Sequence, residues 1–441
     1  MKRITGIIIA LMLVFSLVAC SGGKDPVTSE TATPSATPQS IKATISVQVE
    51  TDWLPYYETV KARVLAENPG STINFIETGA FDHLDVLDAT DVTNVDVADV
   101  FAIPADRLYP LSMNEALASI DAKKMAANVG GFADFDAGLG GNFMIDGEYL
   151  AFPMNIETLI VFANKANAAA KGIDLTGTIE FTDLEYEDML VPFFNAWFGV
   201  AFTNAGDIEL LGNDDGVLWS DMTKEYSELT ADQKKVLTAI YDYWKAHDAA
   251  LTDAWDTSAA WGYMDSSFST GGKASLRLEG PWSTNTLSEQ AGAGADLVIL
   301  PINQVTVGGL PLAHWKGGWG LAVNARVEGK ADQMALAQAF IEEVVNTEFA
   351  VEFFQATGKI MENVPVGVYT SSGLSETQKV VVASVIESYK DAPARPLFTE
   401  WGQVWSTWEN ALQSWSAVKP ASVEAAYNEI KASFEAMMLN F

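Results

Sequence analysis

The sequence predicts an α/β protein built of more than one body, and three observations predict it. The first is the length of 441 residues with 49% hydrophobic and 19% charged residues, which is typical of a globular chain of two or three domains. The second is an alternation of strand and helix patterns from residue 41 onward. The third is the stretch Tyr149–Lys165, where one strand pattern stops at a polar break and another begins.

The first 20 residues have the pattern of a lipoprotein signal peptide. Lys2 and Arg3 precede an apolar segment, Ile7–Val18, that is too short to serve comfortably as a membrane-spanning helix. The sequence Leu-Val-Ala-Cys that ends at Cys20 looks like a bacterial lipobox, so we expect Cys20 to be lipidated and to become the mature N-terminus. Acyl chains there would hold the protein at the extracytoplasmic face of the cell membrane. The alternative is an ordinary signal peptide that happens to contain a cysteine.

Residues 21–40 are rich in Ser, Thr, Pro and Gly and offer almost nothing to bury. Such a composition is typical of a flexible tether. We therefore expect a folded part that begins near residue 41 and is held close to the membrane.

Charge and cysteine content exclude several functions. The net charge of -32 repels phosphate backbones, which argues against a nucleic-acid partner. Cys20 is the only cysteine and the chain has 3 His, so we expect neither an intrachain disulfide nor a metal centre. The acidic run from Asp88 to Asp99 misses the EF-hand spacing, and Gly271-Gly272-Lys273 misses the P-loop spacing, so no cofactor is predicted.

The N-terminal part predicts a parallel α/β sheet. Strands are expected over Ile41–Glu50, Thr72–Glu77 and Val97–Ile103, with a helix over Leu54–Glu67 that stops at Asn68-Pro69-Gly70. Ligands gather beyond the carboxyl ends of such strands. The pairs Asp52-Trp53 and Asp106-Arg107 both fall at those ends.

The central stretch predicts a crossing between two bodies. An Asp146-Gly147 turn leads into an apolar run that breaks at Pro153, and the polar patch Asn155–Thr158 precedes a second apolar run, Leu159–Ala163. Glu157 would then lie where the two bodies face each other, which is a common place for a ligand cleft. The alternative is one long strand with Glu157 on its surface.

The rest of the chain continues the mixed pattern without an internal repeat. We expect a mostly helical stretch over Thr182–Asn204, a hairpin over Gly206–Trp219, and a helix capped by Thr230 and ending at His247. A strand over Ala274–Leu278 and the turn Glu279–Trp282 follow, and then strands over Leu297–Ile302 and Gly317–Val323. The predicted helices after these strands are Ala331–Val345, Phe349–Gly358 and a helical tail over Arg395–Phe441 with Trp401, Trp405, Trp408 and Trp415.

Four landmarks in this order resemble the extracellular solute-binding proteins of ABC importers, particularly the maltodextrin-binding branch. They are the crossing LAFPMNIETLIVFANK, the sequence Gly272-Lys273-Ala274 followed by Glu279-Gly280-Pro281-Trp282, the strand Val298–Pro301 leading to GGWGLAVN at Gly317–Asn324, and the Trp-rich helix near the C-terminus. Together they cover essentially all of residues 41–441.

The resemblance implies a two-lobe periplasmic-binding-protein-like fold of type II with sugar held in the cleft. It implies a hinge of two or three crossing segments, a first lobe of 41–154 plus 303–362 and a second lobe of 155–302 plus 363–441. The positions that match the sugar-contacting residues of the family are Asp52, Asp106, Arg107, Glu157, Trp282 and Trp405.

Three positions depart from the family pattern. Trp53 stands where a polar or basic residue is usual, Ala102-Ile103 stands where an aromatic is expected, and Phe193 stands where a Tyr is usual. Trp53 and Phe193 are retained as candidate substrate-binding residues. These departures leave sugar binding intact as an expectation but put maltodextrin itself in doubt.

The chemistry of the candidates suits a sugar. Carboxylates accept hydroxyl protons in charge-assisted bonds, Arg107 supplies several donors, and indole rings offer flat apolar faces to the C–H faces of a pyranose. Each candidate also has a structural alternative: Glu157 as a cap of backbone N–H groups, Asp106 and Arg107 in ion pairs, Asp52 as a helix N-cap, and the tryptophan stripe as core. Trp315 and Trp319 are further candidates for the rim of the cleft.

The preferred hypothesis is a lipid-anchored, monomeric substrate-binding subunit of an ABC sugar importer, which captures a carbohydrate, most simply an oligosaccharide, and delivers it to the permease in the membrane. It is not expected to be an enzyme. One alternative is the same fold binding a polyamine, glycerol phosphate or a peptide. A second is a surface glycoside hydrolase that uses Asp106 and Glu157, because paired carboxylates also serve that chemistry.

Overall fold

Two mixed β-sheets with helices packed around them form the described part of the chain. The computed structural model describes residues 41–214 and 216–441, so the predicted signal peptide with Cys20 and the tether lie outside the described residues. Residues from 41 onward fall in a single compact unit. None of the helices in this part of the chain combines the length and the apolar character needed to cross a membrane.

The strands are β1 (Thr44–Val49), β2 (Thr72–Glu77), β3 (Val100–Pro104), β4 (Met144–Ile145), β5 (Glu148–Tyr149), β6 (Ala151–Glu157), β7 (Ile160–Asn164), β8 (Ile179–Glu180), β9 (Met189–Leu190), β10 (Gly212–Asp214), β11 (Val217–Trp219), β12 (Leu276–Glu279), β13 (Leu297–Leu300), β14 (Val305–Val307), β15 (Leu310–Pro311) and β16 (Gly317–Val323). The α-helices are α1 (Leu54–Glu67), α2 (Ala80–Ala89), α3 (Leu108–Met113), α4 (Ala122–Val129), α5 (Leu139–Asn142), α6 (Lys165–Lys171), α7 (Ala196–Ala205), α8 (Ala231–Ala250), α9 (Ala260–Phe268), α10 (Thr284–Gln290), α11 (Ala331–Val344), α12 (Ala350–Thr357), α13 (Val366–Thr370), α14 (Glu376–Lys390), α15 (Gly402–Val418) and α16 (Val423–Met438).

The first sheet has the order β2-β1-β3-β16-β6. β1 is parallel to β2 and β3, whereas β16 runs antiparallel to both β3 and β6. The predicted helix Leu54–Glu67 and strand Thr72–Glu77 are confirmed at both ends. The α/β class read from the sequence is therefore confirmed, with an antiparallel strand pair added by a distant part of the chain.

The second sheet has the order β13-β7-β12-β9. β7 pairs antiparallel with β12 and with β13, and its five residues are all buried. A three-stranded sheet of β15, β14 and β8 and a β10–β11 hairpin complete this half of the molecule. The apolar run after Glu157 is thus a central strand covered on both faces, as its composition indicates.

The crossing stretch passes from the first sheet to the second. β6 ends at Glu157 and β7 begins at Ile160 in the other sheet. The change falls at Thr158-Leu159, later than the predicted break at Pro153, because Asn155 and its neighbours still pair with β16. The turn before it is as predicted, since Asp146 and Gly147 have φ of 53° and 86° between β4 and β5.

Two predicted helical stretches are interrupted. Of Thr182–Asn204, the α-helix covers only the part from Ala196 onward, because Met189-Leu190 pair with β12 and Pro192 cannot donate a helical hydrogen bond. The C-terminal tail divides into α15 and α16, which are separated by Lys419 in the left-handed region and by Pro420. The strong capping signal at Thr230 is confirmed as the N-cap of α8.

One segment of the implied first lobe pairs with a strand of the implied second lobe. Residues 305–311, assigned to the first lobe with 303–362, form β14 and β15, which join β8 beside the second sheet. Val381 and Val385 lie on α14, which contacts β13 and β7 of the second sheet as well as β6 of the first. Short apolar segments of this kind suit either core, and only their pairing partners decide which one they join.

Candidate functional site

A cavity of about 1010 Å³ is lined by residues of the first sheet, by Trp197 of α7, by Trp282 just after β12 of the second sheet, and by the segment that leads into α15. This volume is at the upper end of the range for small-molecule sites. Its lining is formed by Phe81, Asp88, Pro104, Asp106, Arg107, Pro110, Asn114, Glu157, Trp197, Trp282, Trp319, Lys359, Arg395, Pro396, Phe398, Thr399, Trp401, Gly402 and Trp405.

Asp106 enters the cavity from a 3₁₀ turn directly after β3. One carboxylate oxygen, Oδ2, lies 2.8 Å from Nη2 of Arg395. The other, Oδ1, is buried and has no hydrogen-bond partner among residues 41–214 and 216–441. A buried acceptor without a partner is costly, so a ligand hydroxyl that donated to Oδ1 would recover the lost hydrogen bond.

Arg395 is itself held in place by aromatic rings. Its guanidinium carbon lies 4.9 Å from the ring centroid of Trp197 and 5.6 Å from that of Trp315. The side chain is only 5% exposed. Arg395 therefore connects the segment before α15 with the end of β3 and presents a fixed cation at the cavity wall.

Glu157 is the last residue of β6 and faces the same space. Its Oε1 accepts a hydrogen bond of 3.0 Å from Nε1 of Trp319 on β16. Burial raises the pKa of Glu157, while the charges of Lys359 and Arg395 act in the opposite direction. The remaining oxygen and lone pairs are available to accept protons from a ligand.

Lys359 lies between two indole rings on the cavity wall. Its Nζ is 5.2 Å from the ring centroid of Trp53 and 4.9 Å from that of Trp319. Burial lowers the pKa of Lys359, and the charges of Glu157 and Glu50 oppose that shift. The two rings position the ammonium, so its N–H groups can donate hydrogen bonds to an acceptor on a ligand in the cavity.

Aromatic rings cover opposite sides of the cavity. On one side Trp282 is 50% exposed and lies 6.4 Å from Trp197 between ring centroids, and Trp405 contacts Trp401 at 4.7 Å. On the other side Phe81 of α2 is 58% exposed and meets Trp319 edge-on at 5.2 Å. Exposed indole and phenyl faces of this kind are flat apolar surfaces that lose little entropy on contact.

The charges of the lining are balanced. Three carboxylates, those of Asp88, Asp106 and Glu157, face three cations, those of Arg107, Lys359 and Arg395. Arg107 forms an ion pair with Asp88. This balance contrasts with the net charge of -32 for the whole chain. The cavity therefore provides hydrogen-bonding groups of both kinds without a net field that would select an ion.

Five of the predicted site residues line this cavity, namely Asp106, Arg107, Glu157, Trp282 and Trp405. The structural alternatives also apply to some of them, because Asp106 and Arg107 are each in an ion pair. Trp319, proposed for the rim, is a lining residue, whereas Trp315 is not among the lining residues and packs against the guanidinium of Arg395. Of the tryptophan stripe, Trp408 and Trp415 are core.

The structure does not bring the other three predicted residues into the cavity. Phe193 is fully buried and packs against Phe202 and Tyr243 at 4.6 and 5.0 Å, because it follows β9 into the core. Trp53 is 4% exposed and belongs to the core beneath Lys359. Asp52 is exposed in the 3₁₀ turn before α1 and caps no helix.

Several lining residues were missed by the sequence reading. Several segments supply these residues, which belong to no motif: α2 supplies Phe81, α7 supplies Trp197, the segment after α12 supplies Lys359, and the segment before α15 supplies both Arg395 and Phe398. The one local signal is the Pro-Ala-Arg-Pro sequence around Arg395, since prolines on both sides indicate an extended segment that presents the side chain between them.

In the described part of the chain, titratable groups outside the cavity do not form a metal site. Within residues 41–214 and 216–441, no group of three or more His, Cys, Asp or Glu side chains is arranged to hold a metal ion. His83, His247 and His314 are buried apart from one another, and burial lowers the pKa of the first two to about 4 and that of His314 to about 3. His314 bonds the Trp197 carbonyl at 2.9 Å and so supports the cavity wall.

Comparison with known proteins gives one curated relative and many structural neighbours. The maltodextrin-binding protein MdxE of Bacillus subtilis is 24% identical over 461 aligned positions, which cover 99% of this chain and 98% of that protein. No protein-family model matches the chain.

Two solved structures illustrate the neighbours. The maltose-binding protein MalE of Listeria monocytogenes, in complex with maltose, has a TM-score of 0.68 at 19% identity and covers 90% of this chain and 98% of its own. MalX of Streptococcus pneumoniae, in complex with maltopentaose, has a TM-score of 0.67 at 18% identity and covers 89% of this chain and 99% of its own.

These likenesses confirm the predicted fold class, a periplasmic-binding-protein-like fold with mixed sheets. The resemblance to extracellular solute-binding proteins, inferred from the four sequence landmarks, is confirmed as well.

Proposed function

We propose that this chain, which shares its fold with maltodextrin-binding proteins, is the substrate-binding subunit of an ABC importer and captures a carbohydrate in the cavity between its two sheets. The observation that carries the proposal is the unpartnered Oδ1 of Asp106 in a charge-balanced cavity with exposed indole faces. The relatives named for maltodextrin, maltose and maltopentaose support a sugar of more than one ring.

The lining suits a neutral polyhydroxylated ligand better than an ion. Each hydroxyl both donates and accepts, and the cavity offers carboxylates as acceptors and Arg and Lys side chains as donors. A polyamine would leave Lys359 and Arg395 facing a like charge, and a phosphate would leave Asp106 and Glu157 in the same position. We therefore rank a carbohydrate above the polyamine, glycerol phosphate and peptide alternatives.

Capture follows from ligand contacts with both halves of the molecule. Asp106 belongs to the first sheet side and Trp282 to the second, so one bound sugar would contact both and favour a closed arrangement. We propose that the two sheets mark two lobes, joined at Thr158-Leu159, between β15 and β16, and between α14 and α15. The permease would recognise the closed form.

The proposal also places the protein at the membrane. Lipidation of Cys20 would anchor a monomer on the extracytoplasmic face, with residues 21–40 as tether. Cys20→Ala should release the protein from the membrane fraction of the expressing cells and abolish labelling by a radioactive fatty acid. Membrane retention of that variant without label would contradict the anchor but leave the binding function untouched.

Titration calorimetry with a panel of mono- and oligosaccharides, polyamines, glycerol phosphate and peptides tests the ligand class. We expect heat from an oligosaccharide and none from the ionic ligands. Asp106→Asn should weaken that binding, and Glu376→Gln, at an exposed position on α14, is the matched control. Binding of an ion or peptide with no response to any sugar would refute the proposal. Products formed on long incubation with oligosaccharides would favour the hydrolase instead.

A further inference from the structure

A second cavity, of about 430 Å³, adjoins the first behind Trp282. The two cavities share Trp197 and Trp282 as walls. The volume lies within the range of small-molecule sites. A ligand that occupied the large cavity and extended past the indole of Trp282 would enter this second space, which is outside the site described above.

The far wall of the second cavity is a pair of side chains on one face of α9. Trp261 and Asp265 are four residues apart, so both project to the same side of the helix. Trp261 is 36% exposed although it is large and apolar, and it meets the ring of Phe198 at 5.6 Å. An indole left partly bare at the edge of a cavity offers a stacking face to a ligand.

The floor is a buried group of charges on β12. Arg277 pairs with Asp265 and lies 3.4 Å from Glu279 through Nη2, and both Arg277 and Glu279 are more than nine-tenths buried. Nε of Arg277 has no hydrogen-bond partner in the described structure. Burying a guanidinium with an unpaired donor is unfavourable, so a polar ligand that supplied an acceptor would stabilise this floor of the cavity.

The chemistry of the second cavity matches that of the large cavity. It combines carboxylate acceptors, a guanidinium donor and an indole face, and its side chains carry both signs of charge. Such a set fits the hydroxyls and the C–H face of a sugar ring. A fatty acyl or purely apolar ligand would leave Arg277 and Glu279 without polar partners.

We infer that the second cavity is an additional subsite that takes one end of an oligosaccharide, with Trp261 as its stacking face and Asp265 and Arg277 as its hydrogen-bonding groups. This inference rests on the proposed function, since it requires that the large cavity holds the rest of the same sugar. It predicts a ligand longer than the large cavity alone accommodates.

The test is the dependence of affinity on chain length. Titration calorimetry would compare the full folded chain with its Trp261→Ala, Trp261→Phe and Asp265→Asn variants against gluco- and xylo-oligosaccharides from disaccharide to hexasaccharide. We expect the wild-type affinity to rise by about 3- to 10-fold between the shortest and longest ligands that bind. Trp261→Ala and Asp265→Asn should remove that gain without changing the affinity for the shortest ligand, and Trp261→Phe should keep most of it.

Trp405→Ala is the control for the large cavity, because it should weaken all lengths by a similar factor and leave the long-to-short ratio unchanged. A wild-type affinity that does not depend on length, or a length dependence that survives in both Trp261→Ala and Asp265→Asn, would overturn the subsite while sugar capture stands. Failure of the wild type to bind any sugar would remove the proposed function and the subsite together. Thermal unfolding of each variant establishes that it is folded.

Discussion

Replacement of Trp282 by Ala should weaken sugar binding substantially without harming the fold. A tryptophan side chain has about 150–250 Å² to bury, and half of this one is already exposed, so roughly 100 Å² of ring remains for a ligand to cover. At ~25 cal/mol per Å² that contact is worth at most about 2.5 kcal/mol. Ordering of the ligand reduces the value, so we expect a loss of about 1–2.5 kcal/mol, or roughly 5- to 60-fold in Kd.

The assay is titration calorimetry at one temperature with the tightest-binding sugar of the panel. Trp282→Phe should recover part of the loss because it keeps a ring, and Val95→Ala, at an 83% exposed position away from the cavity, is the matched control. The change should lower the unfolding temperature only modestly, since half of the side chain is exposed in the folded protein. An unchanged Kd in a folded Trp282→Ala variant would refute the assignment of the indole to the ligand.

The other predictions concern pH, the core and a helix cap. Burial raises the pKa of Glu157 above its usual value of 4.5, so sugar affinity should fall at acidic pH as the carboxylate takes up a proton. Calorimetry should show that Glu157→Gln binds more weakly and that its affinity depends less on pH. Equal pH profiles for the two proteins would contradict the role of the carboxylate. Burial, helped by neighbouring carboxylates, raises the pKa of Glu209 to about 7. The folded form then holds a proton that the unfolded form loses above 4.5, so stability should fall between pH 4.5 and about 7, and Glu209→Gln should reduce that fall in urea unfolding; identical slopes would refute it. Phe193→Ala should cost ~3–5 kcal/mol of unfolding free energy as a core deletion but leave Kd unchanged where the variant is folded, so selective loss of affinity would restore Phe193 as a ligand contact. Thr230→Ala should cost about 1 kcal/mol, because it removes the 3.1 Å cap of the Gln233 N–H; no change in the urea midpoint would mean that the cap contributes nothing.

The elements with a strong local signal were predicted well. The helix at Leu54–Glu67 ends at Asn-Pro-Gly, and Thr230 with Gln233 forms the capping box that begins α8. These signals lie within a few residues of each other, so the sequence contains them whole. The stretch before α7 was predicted helical and is not, because its residues pair with β12, which lies more than eighty residues later in the chain.

The residues of the candidate site likewise divide into those with a local signal in the sequence and those without one. Asp106, Glu157 and Trp282 stand at the ends of strands or in a Gly-Pro turn, and those positions are visible in the sequence. Phe193 has the same apolar neighbours as a cleft aromatic would have, and only its packing against Phe202 and Tyr243 assigns it to the core. Lys359 and Arg395 had no motif, because their roles depend on rings supplied by other segments.

By itself the sequence determined the α/β class, the crossing after Glu157 and the chemical kinds of residue available to a sugar. These follow from hydrophobic period, turn residues and composition, which are local properties of the chain. The tertiary structure alone decided that Arg395 pairs with Asp106, that Lys359 lies between Trp53 and Trp319, and that the lining charges balance. Those facts join residues from separate segments of the chain, and a contact between such segments exists only once both sheets have formed and packed.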